Sequence, residues 1–317
     1  MNRRHLLAAA ALLASSLAHA EYPERPITFI VPFAPGSATD QLARALGQAV
    51  TEATRQAVVV DDKPGANAFI GAQSAARASK DGYSVFITTN TTHAANEHLF
   101  KKLPYDPVKD FEPVALLSKG GQILIVPQNL PVSSVGDLVK LAKSKPGKLS
   151  FGYGSSSSRI AGEMFKQMTG TYILSIPYRS NPPAVTDLIG GQIDMMITDM
   201  ATGLPQVKAG KVKALGVSTL KRTPLAPDVP TISEAGVKGY DISFWFAAYV
   251  PAGTPHDVVA RLNDILSKAN RSQAVSTFYA QNGFEALGGS PDDLHKFQAA
   301  ESEKWRTIIT GAGIEKE

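Results

Sequence analysis

The chain has 317 residues, 44% of them hydrophobic and 19% charged, with a formal net charge of +4 and no cysteine. At roughly 100–200 residues per domain, this length supports about two globular units with real cores and excludes a mainly disordered chain. Without cysteine there is no disulfide framework, thiolate zinc site, iron–sulfur cluster or thiol nucleophile, and so small a net charge gives no footprint for nucleic acid.

Asn2-Arg3-Arg4-His5 is a short basic segment, residues 6–17 are apolar and alanine-rich, and Ala18-His19-Ala20 fits a small-x-small cleavage site. Residues 1–20 therefore read as an export signal cleaved after Ala20, which places the mature protein in the periplasm. An apolar run of twelve residues, 6–17, spans only about 18 Å at 1.5 Å per residue, too short for a hydrocarbon core of about 30 Å. Arg3-Arg4 leaves the twin-arginine route open beside the general secretory one. Loss of the signal would remove two of the four net positive charges.

Residues 27–31 form an apolar run, followed by the loop 32–37 and a periodic segment at 38–49. That order reads strand, loop, helix, with Ser37 or Thr39 as N-cap. It recurs as a strand at 58–60, a turn at Lys63-Pro64-Gly65, a helix at 66–78, a strand at 83–88 and a helix near 92–100. Such alternation predicts an α/β fold with a mainly parallel sheet flanked by helices. Two apolar segments interrupt it, 114–117 with 123–126, and later 244–250. Between them lies a second series, with helices at 135–144, 157–168, 183–189 and 204–209 and strands at 149–153, 173–178, 194–198 and 212–218. Helices at 255–270, 273–282 and 291–310 follow. The pattern predicts lobe 1 from residues 21–122 and 246–317 and lobe 2 from 123–245, joined by two crossing strands with a ligand cleft between them.

Ligands of open parallel sheets bind beyond the carboxyl ends of strands, which directs attention to the loops 33–40, 88–92, 152–159 and 178–181. The most informative is Phe151-Gly152-Tyr153-Gly154-Ser155-Ser156-Ser157-Ser158-Arg159, which leads from a strand into a helix N-terminus, where free amides and the helix dipole favour an anion. An ordinary serine N-cap needs only one of those four hydroxyls. Gly152-x-Gly154 begins a dinucleotide fingerprint, but Ser157 takes the third glycine position and no acid stands about 20 residues on. Pro146-Gly147-Lys148-Leu149 lacks the other residues of a phosphate-binding loop, and no Gly-x-Ser-x-Gly elbow occurs. His93 and His98 are five residues apart, about 140° around a helix, so they do not share a face as metal ligands. Neither a metal nor a cofactor is expected.

A longer series of motifs arrives in one order: Tyr22-Pro23-Glu24-Arg25-Pro26-Ile27, Val31-Pro32-Phe33-Ala34-Pro35-Gly36, Lys63-Pro64-Gly65-Ala66, Leu103-Pro104-Tyr105-Asp106-Pro107, Asp110-Phe111-Glu112-Pro113-Val114, Pro177-Tyr178-Arg179, Gly190-Gly191-Gln192-Ile193-Asp194 and Pro251-Ala252-Gly253-Thr254-Pro255. Over the whole mature length this resembles the periplasmic substrate-binding receptors of tripartite tricarboxylate transporters, the Bug receptor family. The resemblance implies a two-lobed periplasmic binding protein fold of type II. It also implies a monomeric, non-enzymatic receptor that closes on a small organic carboxylate, partly through ordered waters, and delivers it to the transporter's membrane subunits.

Carried onto this chain, the resemblance puts Phe33, Ala34, Gly36, Ser37, Ala38, Thr39 and Asp40 in the first binding loop. Their partners across the cleft would be Thr89, Asn90, Ser155, Ser156, Ser157, Ser158, Arg159, Tyr178, Arg179 and Asp199, with Phe244 as an apolar wall. Ser37 stands where the family commonly has a second glycine, Arg159 where it often has histidine, and Arg179-Ser180 where it has Lys-Gly. Two guanidiniums near the cleft would favour a dicarboxylate, with an aromatic one such as terephthalate among the candidates. Arg159 has a second option in Glu163, four residues on. Two other functions share the same cleft: a sensor module presenting a bound acid to a membrane histidine kinase, and a secreted enzyme on the same scaffold. The absence of a nucleophile–base pair or a metal-ligand set argues against the enzyme.

Overall fold

The computed structural model describes residues 22–317, and the expected export signal lies outside the described residues. No helix among the described residues is long and apolar enough to cross a membrane. Strand β1 (Ile27–Val31) runs parallel to β2 (Val58–Asp62) and β3 (Ser84–Thr89). Farther along the chain, β5 (Ser150–Tyr153) runs parallel to β6 (Leu174–Pro177) and β7 (Met195–Asp199). These two parallel groups flank a central antiparallel region built on β4 (Phe111–Pro127) and β9 (Ser243–Pro251), joined by β8 (Val212–Val217) and β10 (Phe284–Ala286).

Strand β4 is a single 17-residue element where the apolar pattern predicts two short segments. Its first part pairs with β9, from Phe111 opposite Pro251 to Gly121 opposite Ser243. From Gln122 onward it pairs with β7 and β8 instead. The less apolar stretch Lys119-Gly120-Gly121-Gln122, which breaks the pattern in sequence, is held in the strand by its neighbours on both sides. Gly120 has a specific reason to be glycine, because a Cβ there would stand 2.3 Å from Cδ1 of Phe284 on the short strand β10.

The helices lie where periodicity places them, with most ends moved by a few residues: α1 (Ala38–Thr54), α4 (Val135–Ser144), α5 (Ser156–Thr169), α6 (Asn181–Ile189), α7 (Met200–Lys208), α8 (His256–Asn270), α9 (Gln273–Asn282) and α10 (Pro291–Gly311). Two predicted helices are less regular. Residues 66–78 form a 3-10 turn and then α2 (Phe69–Ala76), and the helix near 92–100 is a π-helical turn, Thr91–Ala95, running into α3 (Asn96–Leu99).

The π-helical turn carries a fully buried histidine. The His93 ring stacks on Tyr249 with centroids 3.8 Å apart and meets Phe111 edge-on at 4.8 Å, while Nδ1 lies 2.8 Å from the Thr92 hydroxyl. Burial lowers its pKa from 6.5 to about 3, so the folded protein keeps the ring neutral. Below pH 6.5 the unfolded chain takes up a proton that the folded chain refuses, so this contribution is complete above pH 6.5 and is lost as pH falls toward 3. Urea unfolding should therefore show stability falling between pH 7 and pH 4, with His93 responsible for on the order of 2–5 kcal/mol of the loss. The variant His93→Phe should flatten that part of the profile, and an unchanged slope would show that the ring does not titrate in this way.

A second tight point lies where β5 turns into α5. A Cβ on Gly154 would fall 1.9 Å from the carbonyl carbon of Ser180, so the β5–α5 and β6–α6 loops touch through backbone. Gly154→Ala should force the loops apart and destabilise the fold by about 1–3 kcal/mol, as measured by denaturant unfolding. An unfolding midpoint equal to that of the wild type would show that the loops are not tightly packed here.

Candidate ligand-binding cleft

Four helices begin at one cleft between the first loop, the serine loop and the central strands. Each follows a strand or loop whose carboxyl end points there, so its first amides lie at the cleft without partners in their own helix. The N-caps are Ser37 for α1, Ser155 for α5, Ser180 for α6 and Asp199 for α7. Three of the four side chains cap their own helices: Ser37 accepts from the Asp40 amide at 3.2 Å, Ser155 from the Ser158 amide at 3.2 Å and Asp199 from the Thr202 amide at 2.8 Å. The Ser180 hydroxyl is buried, lines the cleft and has no partner.

Asn181 fixes how three of these helix starts sit relative to one another. Its Oδ1 accepts from the Gly154 amide at 3.0 Å and the Ser158 hydroxyl at 3.2 Å, and its Nδ2 donates to Asp199 at 3.0 Å. Both Asp199 oxygens are therefore occupied by the protein, one by Asn181 and the other by Thr202.

The four consecutive serines divide their work. Ser155 and Ser158 form a capping box, and Ser156 donates to Asn96 Oδ1 at 2.6 Å, reaching to the segment that follows β3. Ser155 and Ser157 line the cleft, and the Ser157 hydroxyl is the one of the four not committed to a protein partner.

From the first loop, Phe33, Ser37, Ala38 and Thr39 line the cleft. Ala34 and Gly36 lie outside this lining, and Gly36 borders an adjoining groove. Asp40 is turned into the loop's own support, with Oδ2 accepting from the Gly36 amide at 2.8 Å and Oδ1 2.8 Å from Arg44 Nε. Arg44 also reaches Asp62 at 3.2 Å. Burial, and then the neighbouring Asp40 carboxylate, push Asp62 up to about 6. Thr89 and Phe244 line the cleft, whereas Asn90 is fully buried beside it with both amide atoms unpartnered.

Neither arginine lines the cleft. The Arg159 guanidinium lies 2.6 Å from Glu317, whose backbone pairs with Leu99 and Lys101, and it does not use Glu163, which instead holds Lys166 at 2.6 Å. Arg179 is exposed, and Tyr178 donates to Asp187 at 2.8 Å beside the cleft. From that loop Ser180 and Asn181 reach the cleft instead, along with Gln122 and Phe246 from the central strands. A polar Gln122 at the edge of an apolar run was the available signal for the third of these. Phe246 carries none, because an aromatic residue in a buried strand looks like any core residue.

Among the described residues, no lysine or arginine lines this cleft, so its donors are hydroxyls, amides and helix dipoles. Such an arrangement holds an anion without a buried cation, and Phe33, Phe244 and Phe246 offer an apolar wall.

Residues 42–314 match the tripartite tricarboxylate transporter family receptor. The chain is 36% identical to the UPF0065 protein in the tcbD-tcbE intergenic region of Pseudomonas sp. (strain P51), covering 98% of this chain and 94% of that protein. It is 32% identical to protein BugT of Bordetella pertussis, covering 99% of each. Among solved structures it superposes on R. palustris Rpa4515 with adipate at a TM-score of 0.90 and 35% identity, covering 94% of this chain and 100% of that one. The periplasmic binding protein BugD gives 0.89 at 33% identity, with 93% and 100% covered. MatC from Rhodopseudomonas palustris with bound malate gives 0.86 at 29%, with 91% and 100% covered. The fold is thus the two-lobed type II periplasmic binding protein fold, and the chain belongs to the tripartite tricarboxylate transporter receptor family, alongside the Bug proteins.

Proposed function

We propose that this protein is a periplasmic receptor that captures a small organic carboxylate, with dicarboxylates as the favoured class, and passes it to the membrane subunits of a tripartite tricarboxylate-type transporter. The observation that carries the reading is the convergence of four helix N-termini and uncommitted hydroxyls on a single cleft without a lining cation. The adipate and malate held by two structural neighbours support an acid as the ligand. The reading assigns no reaction to the cleft: the charged group lining it, Asp199, has both oxygens engaged in holding helices together.

We assign ligand contact to Ser37, Thr39, Thr89, Ser157, Ser180 and Gln122, with Phe33 and Phe244 as walls; all of them line the cleft. The lobes are taken as residues 21–122 with 246–317, and 123–245. The change of β4 partners at Gly121 and Gln122 supports the first boundary. Closure on the ligand would bring the first loop and the helix starts of α5, α6 and α7 against the same carboxylate.

A thermal-shift screen of mono-, di- and tricarboxylates should find a stabilising acid, worth about 2.7 kcal/mol at 100 times its dissociation constant. Stabilisation by sugars or cationic amino acids, with none by any acid, would overturn the reading. Ser157→Ala should weaken the bound acid by about 0.5–1.5 kcal/mol, the net value of a single hydrogen bond, without moving the unfolding midpoint of the free protein. Calorimetry giving equal affinities for the two proteins would remove Ser157 from the site.

A further inference from the structure

Beside the cleft lies an open groove that the capture of one carboxylate does not use. Its walls come mainly from one face each of two helices, with Gly36 and Gln41 of the first loop and α1 on the remaining side. Pro182, Val185, Thr186 and Ile189 follow the i, i+3, i+4, i+7 spacing along α6, and Ala201, Thr202, Pro205 and Gln206 do the same work along α7. Both helices start at the cleft, where Asn181 bonds Asp199, so the groove runs away from the cleft. From Pro182 to Ile189 it extends about 10 Å at 1.5 Å per residue. It is continuous with the cleft in the chain itself: Ser37 and Asn181 line the cleft while their neighbours Gly36 and Pro182 line the groove.

Three features point to what fills it. Pro182, Val185, Ile189, Ala201 and Pro205 give it apolar wall, interleaved with the polar Gln41, Thr186 and Gln206, and Ile189 stays 38% exposed there. Near the cleft end, Thr202 is only 7% exposed and its hydroxyl has no partner. At the far end stands Lys211, whose ammonium has no ion-pair partner among the described residues. A groove with an apolar strip along α6 and α7 that starts at an anion-binding cleft and finishes at an unpaired cation matches a molecule with a carboxylate at each end and a hydrocarbon chain between.

We propose that this groove is a second subsite, which takes the chain of a medium-length α,ω-dicarboxylate and meets its distal carboxylate at Lys211. The proposal rests on the carboxylate-receptor reading and deepens it. Lys211, rather than Arg159 or Arg179, sets the preference for a second acidic group, and Thr202 favours a polar substituent near the proximal end of the chain.

Calorimetry with succinate, adipate, suberate, sebacate and the monoacid octanoate, on wild type, Lys211→Gln and Thr186→Trp, tests this. Wild type should bind suberate more tightly than succinate or octanoate. In Lys211→Gln the ratio of suberate to succinate affinity should fall about tenfold, as for loss of one charged hydrogen bond. Thr186 is exposed, so Thr186→Trp should fold as wild type and, by filling the trough, reject suberate and octanoate while succinate still binds. If succinate binds at least as well as suberate in wild type, or if Lys211→Gln leaves the ratio unchanged, the subsite is refuted while the receptor reading stands. If no acid of the series binds wild type, the subsite is refuted, and the wider screen of mono-, di- and tricarboxylates decides the receptor reading.

Discussion

The cleft depends on one buried amide. Asn181 ties the backbone of the β5–α5 loop, the Ser158 hydroxyl of α5 and the Asp199 carboxylate that caps α7, and it does so from the first turn of α6. A buried network of this kind is stable only when every member is satisfied, and here the acceptor takes two bonds while the amino group gives one to a carboxylate. The result is three helix starts held in register, their free amides facing one space. Rigid placement matters because amides can replace a ligand's hydration only if they do not have to be ordered on binding.

The organisation of the chain was legible in its periodicity, since helices α4 and α9 fall at the predicted residues and β1 spans its whole apolar run. What periodicity could not show was the continuity of β4, which depends on cross-strand partners more than 100 residues away. The three-residue strand β10 is too short to carry a pattern, and it exists because β4 offers it an edge. At the cleft, the loops were legible because loops after parallel strands are where ligands bind, but the orientation of each side chain was not. Arg159 shows why. Its partner, Glu317, is 158 positions away and is brought near by backbone pairing with Leu99 and Lys101. The nearer candidate, Glu163, is taken by Lys166.

This division gives the receptor two kinds of polar contact. Charged groups are used on the protein's own frame, as in Arg44 with Asp40 and Asp62 behind the first loop and Arg159 with Glu317 behind the serine helix. Neutral donors line the cleft itself. A cleft lined by hydroxyls and amides selects by shape and hydrogen-bond geometry, with no cation at its own walls to form an ion pair. Helix α5 also binds outside the cleft, through Ser156 to Asn96 and Arg159 to Glu317, so movement of the serine loop would be felt by the segment after β3.

Strand β4 belongs to both halves of the sheet, with one stretch of backbone completing the ladder of β9 and the next completing those of β7 and β8. Neither half is therefore a self-sufficient module. Cutting the chain at Gly121 would leave exposed strand edges on both pieces, and exchanging one half with a relative would carry the junction along with it. Inheritance of new ligand preferences in such a molecule is thus confined to side chains and loops around a shared spine, which favours change by substitution within the cleft over recombination of lobes.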